Sequence, residues 1–207
     1  MAVPGRGRRN GLMEDDENED DNALFEEEGL VELDSDTPPH LRALAAASEV
    51  GDVHALRLAL DNLEGSIDQP VEDGDTALHL ACLYGHLPCV QLLLERGANL
   101  VAQDEDGALP IHDACAGGFT EIVQLLINSA NNTESLKRML ESVDAEGDTP
   151  LHHAARGEHP DVIRLLLASG ASPTKTNLYG KMPSELPDLD TEARRILEAA
   201  TSAMACQ

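Results

Sequence analysis

His79 and Cys82 stand three residues apart in the stretch DGDTALHLACLYGHLPCVQLLLERGA, residues 73–98. On a helix that spacing puts an imidazole and a thiol on one face, as a cysteine nucleophile and its base would require. Further along, His152, His153, Glu158 and His159 gather four proton carriers or metal donors into eight residues. Their spacing fits neither C-x-x-C nor H-E-x-x-H, so no metal and no cofactor is assigned to them. The chain has no glycine loop for phosphates and no G-x-S-x-G elbow.

Whether these side chains do chemistry depends on the elements that hold them, and those elements recur. DGDTALH at 73–79 returns as DGALPIH at 106–112 and as EGDTPLH at 146–152, with a remnant, YGKMPSE, at 179–185. Gly74, Gly107, Gly147 and Gly180 are spaced 33, 40 and 33 apart. His112 and Cys115 repeat the first pair, and His152 with Ala155 occupies the same positions once more. A catalytic dyad would not be duplicated in register along a chain. The repeated histidine is expected instead to hydrogen-bond within or between turns, linking neighbouring units. Cys82, Cys89 and Cys115 read as small core residues. No enzymatic role is expected.

The second half of each unit recurs as an apolar triplet at i, i+3, i+4: Val90, Leu93, Leu94; Val123, Leu126, Ile127; Ile163, Leu166, Leu167. Leu56, Ala59 and Leu60 upstream, and Ile196, Ala199 and Ala200 downstream, bring the number of units to five. Each unit reads as turn, helix, tight turn, helix. Thr76 and Thr149 are placed to cap a first helix that begins at Ala77 or Pro150. Gly85 and Gly118 permit the inner turn, and Gly97 and Gly170 end the second helix. Neither helix buries its stripe alone, so the units must stack.

This pattern resembles the ankyrin repeat: a period of 33, a T-P-L-H-x-A-like signature, and Gly-Ala after the second helix. The resemblance implies an all-α repeat solenoid with β-hairpin tips, of five units including two degenerate caps. The units run at about 39–72, 73–105, 106–145, 146–178 and 179–201, after an acidic disordered tail of 1–38 and before a short tail of 202–207. It also implies binding through the tips and the concave face of the first helices. The residues expected there are Asp75, Asp104, Glu105, Asp106, Asp113 and Asp148 along one side, with Tyr84, His153 and Arg156 on the floor. His153 stands where Leu80 and Asp113 stand in other units, and is read as a partner contact or a solvated side chain.

Charge narrows the partners. There are 39 acidic against 14 basic residues, a net of −25. Beyond residue 40, 26 acidic and 11 basic residues remain, so the repeats are acidic in their own right. Such a field repels nucleic acid and anionic lipid and favours basic proteins. With no Trp, and only Phe25, Phe119, Tyr84 and Tyr179, there is no platform for stacking bases. No apolar run approaches the roughly 20 residues of a membrane span. Nor does an apolar stretch follow Arg6, Arg8 and Arg9, so no leader is read there and a cytoplasmic or nuclear monomer is expected.

Three segments depart from the repeat. Units 3 and 4 are separated by seven extra residues within NSANNTESLKRMLESVD, residues 128–144, where Thr133 is expected to cap a helix from Glu134 to Glu141. That insertion is either a binding loop or a tolerated length variant. The first and last units are expected to be caps with a polar outer face, and Asp190 to cap the helix from Thr191 to Ala200. NALFEEEGLVELD, at 22–34, is either a docking motif or a segment that folds back on the first unit or stays unstructured. The function expected is a non-enzymatic interaction module, an adaptor or escort for a basic protein. The alternative is an inhibitor or regulatory subunit docking on an enzyme or transcription factor.

Overall fold

Pro39, Pro110, Pro150 and Pro160 each occupy the first position of a helix, where a missing N–H leaves no intrahelical bond unmade. The structure, a computed structural model, describes residues 38–71 and 74–205. Unit 1 holds α1 (Pro39–Val50) and α2 (Val53–Asp61), and unit 2 holds α3 (Ala77–Leu83) and α4 (Leu87–Glu95). Unit 3 holds α5 (Pro110–Ala116) and α6 (Thr120–Ser129), followed by α7 (Thr133–Glu141) in the insertion. Unit 4 holds α8 (Pro150–Arg156) and α9 (Pro160–Ala168). The last unit has a single 3-10 turn, Pro183–Glu185, and α10 (Glu192–Ala205). Residues 1–37, with the acidic tail and the 22–34 motif, lie outside the described residues, as do 72–73 and 206–207.

First helices line up in one row, α1 on α3, α3 on α5, and α5 on α8. Second helices form another, α2 on α4, α4 on α6, and α6 on α9, with α10 packed on α9. This is the all-α stack. Helices of seven residues are too short to persist alone in water, so burial between neighbours must hold them. Ala81, Cys82, Ala114, Cys115, Ala154 and Ala155 are fully buried, and their small side chains let the first row pack closely. Val90, Leu93, Val123, Leu126, Ile163 and Leu166 seal the second row from solvent. Each leucine so buried contributes about 1.5–3 kcal/mol.

The inner turn shows why the repeat needs glycine, and where it does not. At Gly118 φ is +74°, and a Cβ built there would lie 2.5 Å from the His159 ring of the next unit. Phe119 covers Gly85 in the same way. Unit 4 has Glu158 at this position with φ of 54°. The last unit sends no ring over it, so the side chain has room and only the left-handed backbone is unfavourable. Glu158 also accepts a hydrogen bond from the Asp188 N–H at 2.7 Å, tying unit 4 to the final cap.

Four expectations need correction. Among the described residues no β-strand forms. The tips are tight turns closed by backbone bonds, such as Asp104 N–H to Ala108 O at 3.1 Å and Gly107 N–H to Asp104 O at 3.2 Å. Bonds from Ala145 N–H to Asp106 O at 2.7 Å, and from Leu178 N–H to Glu146 O at 3.0 Å, link successive tips. The cap of α7 is Asn132, not Thr133: its side chain accepts from Ser135 N–H at 2.8 Å. Asp190 does not cap α10, since its own φ is 72°. The Thr191 hydroxyl accepts from Arg194 N–H instead, at 3.3 Å. In α10 the buried seam is Ala193 and Leu197, while Ala199 is exposed. Asp52, His54 and Arg57 are exposed as expected of a cap, but unit 1 also carries a shallow apolar hollow of Ala43, Ala55, Leu58 and Ala59.

Candidate functional site

The three signature histidines are couplers. His79 Nδ1 accepts from Thr76 N–H at 3.1 Å, which leaves the ring proton on Nε2, facing Ala108 O of the next tip at 3.3 Å. His152 repeats this with Thr149 N–H at 3.1 Å and Lys181 O at 3.1 Å. Each ring closes the start of its own helix and reaches into the following unit. In the last unit Glu185 takes over the first of these tasks, accepting from Met182 N–H at 2.8 Å. His112 makes only half the set. Its Nδ1 accepts from Leu109 N–H at 2.9 Å, but its Nε2 is buried without a partner at the junction that carries the seven-residue insertion.

These environments oppose nucleophilic chemistry. Burial lowers the pKa of His79, His112 and His152, with His112 brought to about 4 by burial and the neighbouring His153. Burial also raises the thiols of Cys82 and Cys115 well above their usual range, helped by the charge of Asp113. A thiol held neutral and sealed from solvent is a packing group. His86 and His159 belong to the scaffold too, facing Glu49 O at 2.8 Å and Ala116 O at 2.9 Å of the preceding unit.

The nine expected binding residues divide into three groups. Glu105 and Asp106 are exposed at the tip between α4 and α5, and Tyr84 is 51% exposed at the end of α3, stacked on His86. Asp75, Asp104 and Asp113 are half-buried between units 2 and 3, with Asp104 accepting from Ala108 N–H at 2.8 Å. Asp148, His153 and Arg156 form a network inside unit 4. Asp148 is fully buried, paired with Arg156, and accepts from Asn177 Nδ2 at 2.7 Å. It therefore does not line an open surface, because its carboxylate is spent within the chain. His153 is neither a free contact nor a solvated ring: its Nε2 lies 2.7 Å from Asp144 Oδ2, and its ring meets His112 edge-on. Burial pushes the Asp144 carboxyl up, but the bond from His153 and the N–H groups of Asp148 and Glu146 outweigh it and hold its pKa low. Arg156 keeps half of its side chain in solvent and also reaches Glu146 at 3.4 Å.

Asp144, Glu146 and Asn177 were missed by sequence reasoning. Asp144 was findable, because it sits three residues before its tip glycine, as Asp104 does. Glu146 adds an exposed acid to the second tip. The insertion helix α7 forms one wall of a cleft of about 470 Å³ with Leu94, Val101, Ser129, Asn131 and Met139 among its lining.

A family profile of ankyrin repeats, three copies long, matches residues 22–104 and again 99–177. The chain belongs to the ankyrin-repeat family. That family is an interaction scaffold, typically non-enzymatic, and its members take protein partners. The first match begins upstream of the helices described, at residue 22. A probable E3 ubiquitin-protein ligase of rice (Oryza sativa subsp. japonica), XBOS33, is 53% identical over 36 residues. That stretch is 17% of this chain and 7% of the ligase, about one repeat long. Among the described residues no helix is long and apolar enough to cross a membrane.

Proposed function

We propose that the chain is an adaptor or escort that holds a basic segment of a partner protein against its acidic tips and the first-helix row. The observation that carries this reading is the exposure of Glu105, Asp106 and Glu146 on successive tips in a repeat body that is itself strongly acidic. Like charges gathered on one surface repel one another, and a cationic partner relieves that repulsion. Tyr84, exposed at the end of α3, offers an aromatic face on the first-helix row for an arginine or lysine. The binding set is thus Tyr84, Glu105 and Asp106, with Glu146 added and the exposed half of Arg156 at its edge. Asp75, Asp104 and Asp113 lie beneath it, and Asp148 and His153 support it from inside.

On this reading the chain works as a monomer in the cytoplasm or nucleus, without a cofactor and without catalysis of its own. Affinity purification of the full chain from cell extract tests it. Captured proteins should be basic and should be lost as salt rises, because exposed charge pairs are screened. A captured set that is acidic or indifferent to salt would overturn the proposal. Recovery of an assembled, folded enzyme would favour the regulatory-subunit alternative over the escort.

A further inference from the structure

Unit 4 supplies a donor that unit 3 lacks. Three residues before the tip glycine Gly147 and six after it stand Asp144 and His153, joined at 2.7 Å. The same two positions around Gly107 are Asp104 and Asp113. A carboxyl group stands where the repeat geometry places an imidazole donor. Asp113 Oδ2 is buried with no hydrogen-bond partner, and among the described residues no lysine or arginine pairs with Asp113.

The groups that act on Asp113 offer no compensation. Asp75 bears on it from the turn before α3 and Asp104 from the tip, while the neutral thiols of Cys82 on α3 and Cys115 on its own helix feel its charge and supply none to offset it. His79 on α3 has both ring nitrogens engaged, and His153 on α8 is turned to Asp144. An ionised carboxylate here would be a buried charge facing two others. Burial, with the charges of Asp75 and Asp104, pushes the Asp113 carboxyl up to about 8.

We propose that a proton on Asp113 keeps this position between units 2 and 3 uncharged, where unit 4 uses the imidazole of His153, and that the joint loosens as the proton is lost with rising pH. The stack then has a pH-sensitive point near its centre, beneath the Glu105–Asp106 tip. The sign follows from linkage. The unfolded chain releases this proton near 3.8 and the folded chain near 8. The contribution is therefore full below the lower value and is lost as pH rises through the higher one. The buried histidines act in the opposite sense, so the comparison must isolate Asp113.

Thermal unfolding of the full chain between about pH 5 and 9 does so, using wild type, Asp113→Asn and Asp113→His. Asparagine keeps the shape without the charge. Its melting temperature should exceed wild type by more than about 4 °C near pH 8.5, and the gap should narrow steadily towards pH 5. Asp113→His rebuilds the unit 4 pair and should likewise exceed wild type at the alkaline end. Parallel curves for wild type and Asp113→Asn would overturn the proposal. So would magnesium or calcium ions raising the wild-type melting temperature but not that of Asp113→Asn, since a metal would then fill the place. Should the variants not fold, carboxyl carbon NMR on wild type decides: Asp113 titrating near 8 supports the proton, and titration below about 5 overturns it.

Discussion

Replacing His152 by alanine removes three polar contacts from a site with no exposure to solvent: those with Thr149 N–H, the Thr149 hydroxyl and Lys181 O. Lys181 O keeps its bond from Asn177 N–H, but Thr149 N–H loses its acceptor in a buried place. An orphaned buried donor costs about 1–3 kcal/mol, and each lost bond about 1 kcal/mol. With the void left by the ring, His152→Ala should destabilise the chain by roughly 3–5 kcal/mol. His112→Ala is the internal control. It orphans Leu109 N–H in the same way, but no bond to the next unit is lost, because His112 Nε2 has none. It should cost less by about 1–2 kcal/mol. Urea unfolding followed by circular dichroism at neutral pH, with unchanged slopes, measures both. Equal costs, or a larger cost for His112→Ala, would refute the argument that these rings couple units.

Leu93→Ala empties a fully buried position in α4 and should cost roughly 2–5 kcal/mol in the same assay. Gly118→Ala must fit a Cβ against His159 at a positive φ, and should lower the melting temperature clearly more than Glu158→Gly, which relaxes the same turn where no ring covers it. His79, His112 and His152 have folded pKa values below 6.5, so the unfolded chain binds more protons as pH falls. Their contribution is full above 6.5 and is lost on acidification towards about 4, the value for His112. In the Asp113→Asn background, a melting temperature that rises as pH falls from 6.5 to 4 would contradict it.

The fold was legible because the repeat is written in residue types that each have one physical use. Proline at a helix start, threonine before it and glycine at the turns mark the ends of elements, and the triplets mark which faces are buried. The same logic placed His79 and His152 as links between turns, since a catalytic pair would not recur in register. The candidate surface was read less well, because exposure depends on partners far away in sequence. Asp148 looked like one more acid beside a tip, yet Asn177, 29 residues further on, arrives to bury it. His153 differed from its repeat equivalents and so looked like a contact, while its partner Asp144 lay across the turn. The seam of α10 was misjudged because a capping helix has a neighbour on only one side, which shifts its buried face from the repeat register.

The central claim, an acidic tip surface that holds a basic protein segment, is tested most directly by an affinity. A partner captured by the wild-type chain should be titrated against wild type and Glu105→Lys/Asp106→Lys at low and physiological salt. Both residues are exposed and neither helps to hold the core, so the variant should fold with an unchanged melting temperature. The account predicts at least a tenfold loss of affinity, about 1.4 kcal/mol, with weaker salt dependence in what remains. Unchanged affinity in a folded variant would contradict it and move the binding surface to the cleft beside α7 or to the second-helix row.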